Sequence, residues 1–314
     1  MSPAAKLLTG VELGGTKCVC ILGTGPEDVR AVERLPTGER EDTLRQIEAV
    51  LDRWRAQHGP TRALGIASFG PVDLRADSPT YGFITSTSKV GWRNTDVAMR
   101  LGRRMGGPVG FDTDVNGAAL AEGRWGAAVG LDDFAYITVG TGIGAGLIVR
   151  GKSIFGMNHT ELGHIRVVRK AGDKFPGICP YHGDCIEGLA SGPAIEARAG
   201  MPASQLPPDH PAWDFVAHGL AQLIHNMVLT TAPSRIFLGG GVPSAQTHLF
   251  ERIQQELKRS LNRYVEAPEL EQGIGNYIVA PGLGTMAGPL GALALAADAE
   301  GASASHPLVT AASR

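Results

Sequence analysis

The sequence predicts an α/β protein built from two related halves, each carrying a glycine-rich hairpin, and three observations lead there. Residues 7–22 read strand, turn, strand: apolar Val11 and Leu13, then Gly14-Gly15-Thr16-Lys17, then Cys18-Val19-Cys20-Ile21-Leu22. Residues 134–150, F-A-Y-I-T-V-G-T-G-I-G-A-G-L-I-V-R, repeat that design, with the turn beginning at Gly140. A third apolar run, 235–238, leads straight into Gly239-Gly240-Gly241-Val242. Strand-favouring residues on both sides of a Gly/Thr turn specify a hairpin, whereas a Walker A loop needs a helix behind it. A repeat of this length suggests two halves facing one cleft. Chance likeness between two Gly/Thr turns is the plain alternative, because such turns are common.

Between and after the hairpins, helical and strand patterns alternate. Residues 43–58 place Leu44, Ile47, Val50, Leu51 and Trp54 at helical spacing. Residues 64–68 form a short apolar strand ending at Phe69-Gly70-Pro71-Val72-Asp73. A helix is expected over 97–105, a strand over 109–112 and a helix over 117–128. Further on, 187–199 reads as one helix with Ser191-Gly192-Pro193 near its start, and 201–210 as a proline-rich loop. Residues 215–231 read as an apolar-periodic helix and 288–299 as an Ala/Leu helix. The division this implies is a small α/β domain of residues 1–116 plus the helix 288–300, and a large α/β domain of 117–287. Residues 301–314, rich in Ala and Ser, read as a disordered tail.

A chain of 314 residues is long enough for two cores. A net charge of −2 leaves no basic footprint for nucleic acid or an anionic membrane. No apolar run approaches the roughly 20 residues of a membrane span. The first residues lack the apolar core of a signal peptide, and four cysteines are few for this length, so reduced thiols in the cytoplasm are the simplest account. Forty-three glycines, about twice ordinary usage, cluster between apolar runs and fit a backbone that must approach a ligand closely.

The densest chemistry lies between His164 and Glu187. Cys179, His182 and Cys185 fall within C-P-Y-H-G-D-C, with His164 upstream. Four N/S donors suit a closed tetrahedral zinc site, which holds structure and leaves no open position for catalysis. Pro180 and Gly183 disfavour a continuous helix and favour a tight loop there. A core cysteine pair or solvated histidines is the plainer alternative.

Gly/Thr hairpins cradle phosphates because successive backbone N–H groups converge where no Cβ intervenes. Lys17 adds a mobile positive charge, and Thr16 and Thr141 offer hydroxyls. The cluster after residue 238 sits where open α/β sheets place ligands, beyond the end of a strand. Together the three loops point to a nucleotide. Asp112-Thr113-Asp114-Val115-Asn116 lies between a strand and a helix, and two readings stay open. One is a helix N-cap, a role open to Asn116 with Asp114 left facing the cleft; the other is a base, Asp114 accepting the proton of a hydroxyl attacking a γ-phosphate.

Taken together the motifs resemble those of ROK-family sugar kinases, most of all the bacterial zinc-containing fructokinase branch. They are V-E-L-G-G-T-K at 11–17, S-F-G-P-V-D at 68–73, G-W at 91–92, T-D-V-N at 113–116 and V-G-T-G-I-G-A-G at 139–146. H-T-E-L-G-H at 159–164, C-P-Y-H-G-D-C-I-E-G-L-A-S-G-P-A-I at 179–195 and L-G-G-G-V at 238–242 complete the set. The resemblance implies an actin-like ATPase (ribonuclease H-like) fold of two α/β domains around a cleft. It also implies transfer of the ATP γ-phosphate to D-fructose, giving fructose 6-phosphate. By resemblance Asp114 is the catalytic base, and Thr113, Glu161, His164 and Glu187 contact sugar hydroxyls. Gly14, Gly15, Thr16, Lys17, Gly140, Thr141, Gly142, Pro193, Gly239, Gly240, Gly241, Val242 and Pro243 match ATP-binding positions. His164, Cys179, His182 and Cys185 match a structural zinc site. Mg²⁺ bridging the phosphates and a homodimer are further implications.

Three departures from the wider family stand out. Glu12 replaces an Asp at the head of the first loop, Thr113 replaces an Asn beside the catalytic Asp, and the knuckle reads Cys-His-Cys where glucokinase-like members have three cysteines. All three agree with the fructokinase branch. A glucokinase, mannokinase or N-acetylhexosamine kinase of the same family is the alternative enzyme. The family's sugar-sensing repressors carry an N-terminal winged helix-turn-helix, for which a hairpin starting near residue 7 leaves no room.

Overall fold

The computed structural model describes residues 7–271 and 273–305, which fall into two compact units. Of the described residues, the first holds 7–129, Phe155–His159 and 285–305, and the second Gly130–Ile154, 160–271 and 273–284. Among the described residues no helix is long and apolar enough to cross a membrane.

In the first unit the opening hairpin forms as expected: β1 (Leu8–Leu13) and β2 (Lys17–Gly25) pair antiparallel, and β3 (Asp28–Pro36) extends the meander. The helix α1 (Arg40–His58) starts three residues before its apolar pattern, because the Glu39 side chain accepts the N–H groups of Glu41 and Asp42. Then follow β4 (Leu64–Ser68) and a two-stranded ladder of β5 (Phe83–Ile84) with β6 (Thr95–Asp96). Next come α2 (Ala98–Met105), β7 (Val109–Thr113) and α3 (Asp114–Trp125). The sheet order is β3-β2-β1-β4-β7, with β1, β4 and β7 parallel. One apolar cluster unites α1 and α2 with the sheet through Leu44, Ile47, Leu51, Trp54, Leu101 and Met105.

The C-terminal helix (Ala287–Ser305) packs on β1, β2, β4, β7 and α3. Gly10 pairs with Gly65 and Gly65 with Gly110, so three glycines stand side by side across the parallel strands. A Cβ on any of them would come under 3.0 Å from the helix: from Ala292 at Gly10 and Gly65, and from Leu295 at Gly110. Gly291 likewise meets the backbone of Gly117 in α3. The helix therefore lies directly on strand backbone.

Two expectations change here. The helix after β7 begins at Asp114, not at residue 117, and its packing on the C-terminal helix keeps it in the first unit, so the division falls after Val129. The C-terminal helix runs past residue 300 through Ser305, where a disordered tail was expected. Ala and Glu favour helix, and the ion pairs Arg124–Asp298 and Arg62–Glu300 tie its last turns down. The rest of the expected tail, 306–314, lies outside the described residues.

The second unit follows the same strand plan. The hairpin β8 (Phe134–Val139) and β9 (Ile143–Val149) is antiparallel, and β10 (Lys152–Ser153) adds an edge. The segment expected as one helix over 187–199 is two: α4 (Ile186–Ala190) and α5 (Gly192–Ala199), broken at an extended Ser191. Pro193 has no N–H and its ring excludes the carbonyl four residues back, so a continuous helix is not available. Next come α6 (Ala212–Thr230), β11 (Ile236–Gly239), α7 (Gly241–Ala245), α8 (His248–Leu261) and β12 (Ile278–Val279). The sheet order is β10-β9-β8-β11-β12, with β8, β11 and β12 parallel. The helix α8 adds to the expected elements; it buries Leu249, Ile253, Leu257 and Leu261 against α6.

Gly65→Ala should destabilise the protein by about 3 kcal/mol or more, since neither a strand nor a helix backbone can yield to the added methyl. Denaturant unfolding monitored by circular dichroism checks this; a loss below about 1 kcal/mol would contradict the direct backbone packing.

Candidate functional site

In the first unit the turn between β1 and β2 carries Gly14, Gly15, Thr16 and Lys17. Gly14 N–H donates to Lys17 O at 3.1 Å. Thr37 holds the turn twice, its hydroxyl donating to Gly14 O at 2.7 Å and its N–H to Thr16 O at 2.9 Å. Lys89 Nζ donates to Gly15 O at 2.6 Å. Thr37 and Lys89 escaped the sequence reading, because each reaches the turn from a distant segment and neither lies in a glycine motif.

The strand-to-helix junction sorts its residues clearly. Thr113, buried, is the N-cap: its hydroxyl accepts the N–H of Asn116 at 3.2 Å. Asn116, expected as the cap, instead donates its side-chain amide to Asp112 Oδ1 at 2.8 Å, and Asp112 Oδ1 also accepts Thr113 N–H at 2.7 Å. Asp114 is half-buried, with Oδ1 accepting the N–H of Val115 at 2.9 Å. Burial pushes its carboxyl up to about 6, against the pull of backbone N–H groups. Glu12, at the end of β1, is pushed up to about 7, first by burial and then by the charge of Asp114, against Lys17 and Arg34. Its carboxylate abuts Gly288 in the first turn of the C-terminal helix, where any Cβ would come under 3.0 Å from Glu12 Oε1. The longer acid fits because that position has no side chain.

The S-F-G-P-V-D stretch ends in two residues held by distant and local partners. Val72 N–H donates to His159 Nε2 at 3.0 Å. Buried Asp73 is held far below the usual carboxylate range, first by Arg75 and then by Ser78 and Thr80.

The second unit brings three predicted loops together. Gly192 N–H donates to Gly140 O at 2.7 Å, placing Ser191-Gly192-Pro193 against the β8–β9 turn. Gly240, at φ +94°, packs on Val139 so tightly that a Cβ would come under 3.0 Å from its backbone. Gly239, Gly240 and Gly241 thus end β11 beside the turn that begins at Gly140. Val242 and Pro243 are buried, so they contribute packing and backbone. Thr141 is exposed on the turn.

Glu187 joins this group to the knuckle. Its Oε2 accepts the N–H of Ile143, which follows Gly142, at 3.0 Å. A Cβ on Gly142 would come 2.6 Å from the same oxygen. Its Oε1 lies 3.9 Å from His164 Nε2. Glu161, exposed, precedes the short turn Leu162–His164, and its carbonyl accepts His164 N–H at 3.0 Å. The other ring nitrogen of His164 turns to the cysteines: Nδ1 is 3.6 Å from Cys179 Sγ and 3.5 Å from Cys185 Sγ. His182 Nδ1 is 3.7 Å from Cys179 Sγ. One donor atom each from His164, Cys179, His182 and Cys185 lies within 4.8 Å of all the others, a set that could hold a metal ion.

The ROK family profile matches residues 8–299. The chain is 42% identical over 299 residues to a fructokinase of Zymomonas mobilis, covering 94% of this chain and 98% of that one. It is 40% identical to a fructokinase of Pediococcus pentosaceus, covering 92% and 97%. Among solved structures, a ROK glucokinase of Streptomyces griseus in complex with glucose and AMPPNP superposes with a TM-score of 0.72 at 26% identity, covering 93% of this chain and 99% of that one. The fold is therefore the actin-like α/β fold that the motifs implied.

The raised Glu12 carboxyl has a stability consequence. The unfolded chain gives up this proton near 4.5 and the folded chain only near 7, so stability falls as pH rises through that window. Glu12→Gln removes the fall. Thermal unfolding should show the variant more stable than the wild type at pH 8, with the difference gone by about pH 4.5. An advantage that is constant with pH would contradict the burial of this charge.

Proposed function

The chain belongs to the ROK family, and from that premise we propose that it is a fructokinase, transferring the γ-phosphate of ATP to the 6-hydroxyl of D-fructose. The observation that carries the reading is Asp114: a half-buried carboxylate with its pKa raised to about 6, at the capped start of α3, in a chain 42% identical to a fructokinase over nearly its whole length. A base should hold its proton firmly yet be ionised at working pH.

In the transfer, Asp114 takes the proton of the fructose 6-hydroxyl as that oxygen bonds to the γ-phosphorus. The bond from the γ-phosphorus to the bridging oxygen breaks, and ADP leaves with the electron pair. The turn Gly14–Lys17 of the first unit, with Lys17, and the turn Gly140–Gly142 of the second each offer backbone N–H groups suited to phosphate oxygens. Mg²⁺ bound with ATP would supply charge neutralisation at the phosphates. Pro193 and the run from Gly239 to Pro243 complete the nucleotide site, and Thr113 positions Asp114 by capping α3. Glu161, His164 and Glu187 hold the remaining sugar hydroxyls. Such polar readout rejects a sugar lacking the right hydroxyl more strongly than an apolar pocket does.

The knuckle is read as a structural zinc site. With Zn–S near 2.3 Å and Zn–N near 2.0–2.1 Å, a tetrahedron has S···N edges of about 3.6 Å, and three of the four S···N pairs, those of Cys179 with both histidines and of Cys185 with His164, lie 3.5, 3.6 and 3.7 Å apart. Four protein ligands leave no open position, so the ion supplies no reaction chemistry. An ion held by these four residues would fix His164 through Nδ1 and so the ring whose Nε2 lies 3.9 Å from Glu187 Oε1. The reading extends to a cytoplasmic homodimer, on the strength of the family resemblance.

ADP release measured over fructose, mannose, glucose, glucosamine and N-acetylhexosamines tests the reading. Fructose should give the highest kcat/KM, and Asp114→Asn should lower kcat by about 10³ or more with nucleotide binding retained. A different best acceptor overturns fructose, and near wild-type turnover in the variant overturns the base. Stripping the metal, verified by elemental analysis, should lower the melting temperature and raise KM for fructose. Unchanged values for both would refute the zinc's role.

A further inference from the structure

We propose that Lys89 positions the first glycine turn for the phosphates of the nucleotide by fixing the peptide plane between Gly15 and Thr16. This rests on the kinase reading above and adds a residue to its machinery.

In a trans peptide the C=O and N–H point in opposite directions, so whatever holds the carbonyl aims the N–H. Two successive carbonyls of the turn are held from outside it. Gly14 O accepts the Thr37 hydroxyl at 2.7 Å, and Gly15 O accepts the Lys89 ammonium at 2.6 Å. The paired N–H groups, on Gly15 and Thr16, are therefore directed away from Thr37 and Lys89. Two successive N–H groups along one side of a turn are what an anion cradle requires. Left to itself, a Gly-Gly pair samples both signs of φ and turns either end of its peptides outward. A carbonyl turned toward the phosphates would repel them.

Lys89 is itself held in place. Its N–H donates to the Thr87 hydroxyl at 3.3 Å, and it stands immediately before the short turn Val90–Trp92. Trp92 is buried, donates Nε1–H to Gly38 O at 3.1 Å and meets the Phe69 ring edge-on at 5.5 Å. Gly38 adjoins Thr37, so the segment that delivers Lys89 is bonded to the one that delivers Thr37. An ammonium-to-carbonyl bond is charge-assisted and stronger than a neutral one.

Calorimetric titration of wild type, Lys89→Met, Lys89→Arg and Thr37→Val with MgAMPPNP and with AMP tests this, alongside KM for ATP and for fructose. Lys89→Met should weaken AMPPNP by about tenfold or more while AMP affinity and fructose KM stay within about twofold. Lys89→Arg, which keeps a charged donor, should recover most of the loss, and Thr37→Val should shift AMPPNP in the same direction. AMPPNP affinity unchanged in Lys89→Met, AMP weakened equally, or fructose KM raised in place of nucleotide affinity would each overturn the proposal. If the wild type phosphorylates no sugar, the kinase reading fails, while the AMPPNP titrations still decide the role of Lys89.

Discussion

The C-terminal helix lies on the backbone of β1, β4 and β7 because Gly10, Gly65 and Gly110 stand in register across those strands and present no side chain. Much else in the first unit follows from that contact. The first turn of the same helix places Gly288 against the Glu12 carboxylate, and one turn on, Gly291 meets Gly117 in α3. One helix thus fixes both the acid at the end of β1 and the helix that begins with Asp114. A side chain at any of these glycines would lift the helix from all of its partners, because close-packed backbones cannot yield locally. The arrangement also joins the last described helix to the first strand, so the unit cannot close its core until nearly the whole chain is present.

Glu187 plays the corresponding part in the second unit. One carboxylate oxygen takes the N–H that follows the Gly140–Gly142 turn, and the other lies toward His164 Nε2. A nucleotide-type turn, a sugar-type acid and a metal-type histidine are therefore linked through a single side chain. Gly142 is needed because a Cβ there would strike the same oxygen. Glu187 thus ties the turn to the His/Cys cluster by one hydrogen bond and one close approach.

Features written in short runs of sequence were legible, and features written across distant segments were not. The knuckle was readable because three of its donors lie within seven residues, and both hairpins because a Gly/Thr turn between apolar runs has few other outcomes. The glycine row was not, since Gly10, Gly65 and Gly110 become neighbours only once the strand register is set. Thr37 and Lys89 reach the first turn from segments whose position depends on the Trp92 packing. The break at Ser191 was legible in principle from Pro193, but the apolar periodicity over 187–199 masked it.

The run Asp112-Thr113-Asp114-Val115-Asn116 shows why cap and base were hard to separate from sequence, and why both roles fit. A helix starting on a sheet must satisfy its free N–H groups, and any of these side chains could do so. Thr113 takes that role, and Asp112 is occupied by Thr113 N–H and the Asn116 amide. With the cap supplied elsewhere, Asp114 keeps a carboxyl that burial raises against the pull of the N–H groups of the first helical turn. Its neighbour Glu12 is raised to about 7, first by burial and then by the charge of Asp114, so the protons of the two belong partly to the pair. Burial thus brings the first ionisation of the pair close to neutral pH, which is what the proposed role of Asp114 as a base calls for.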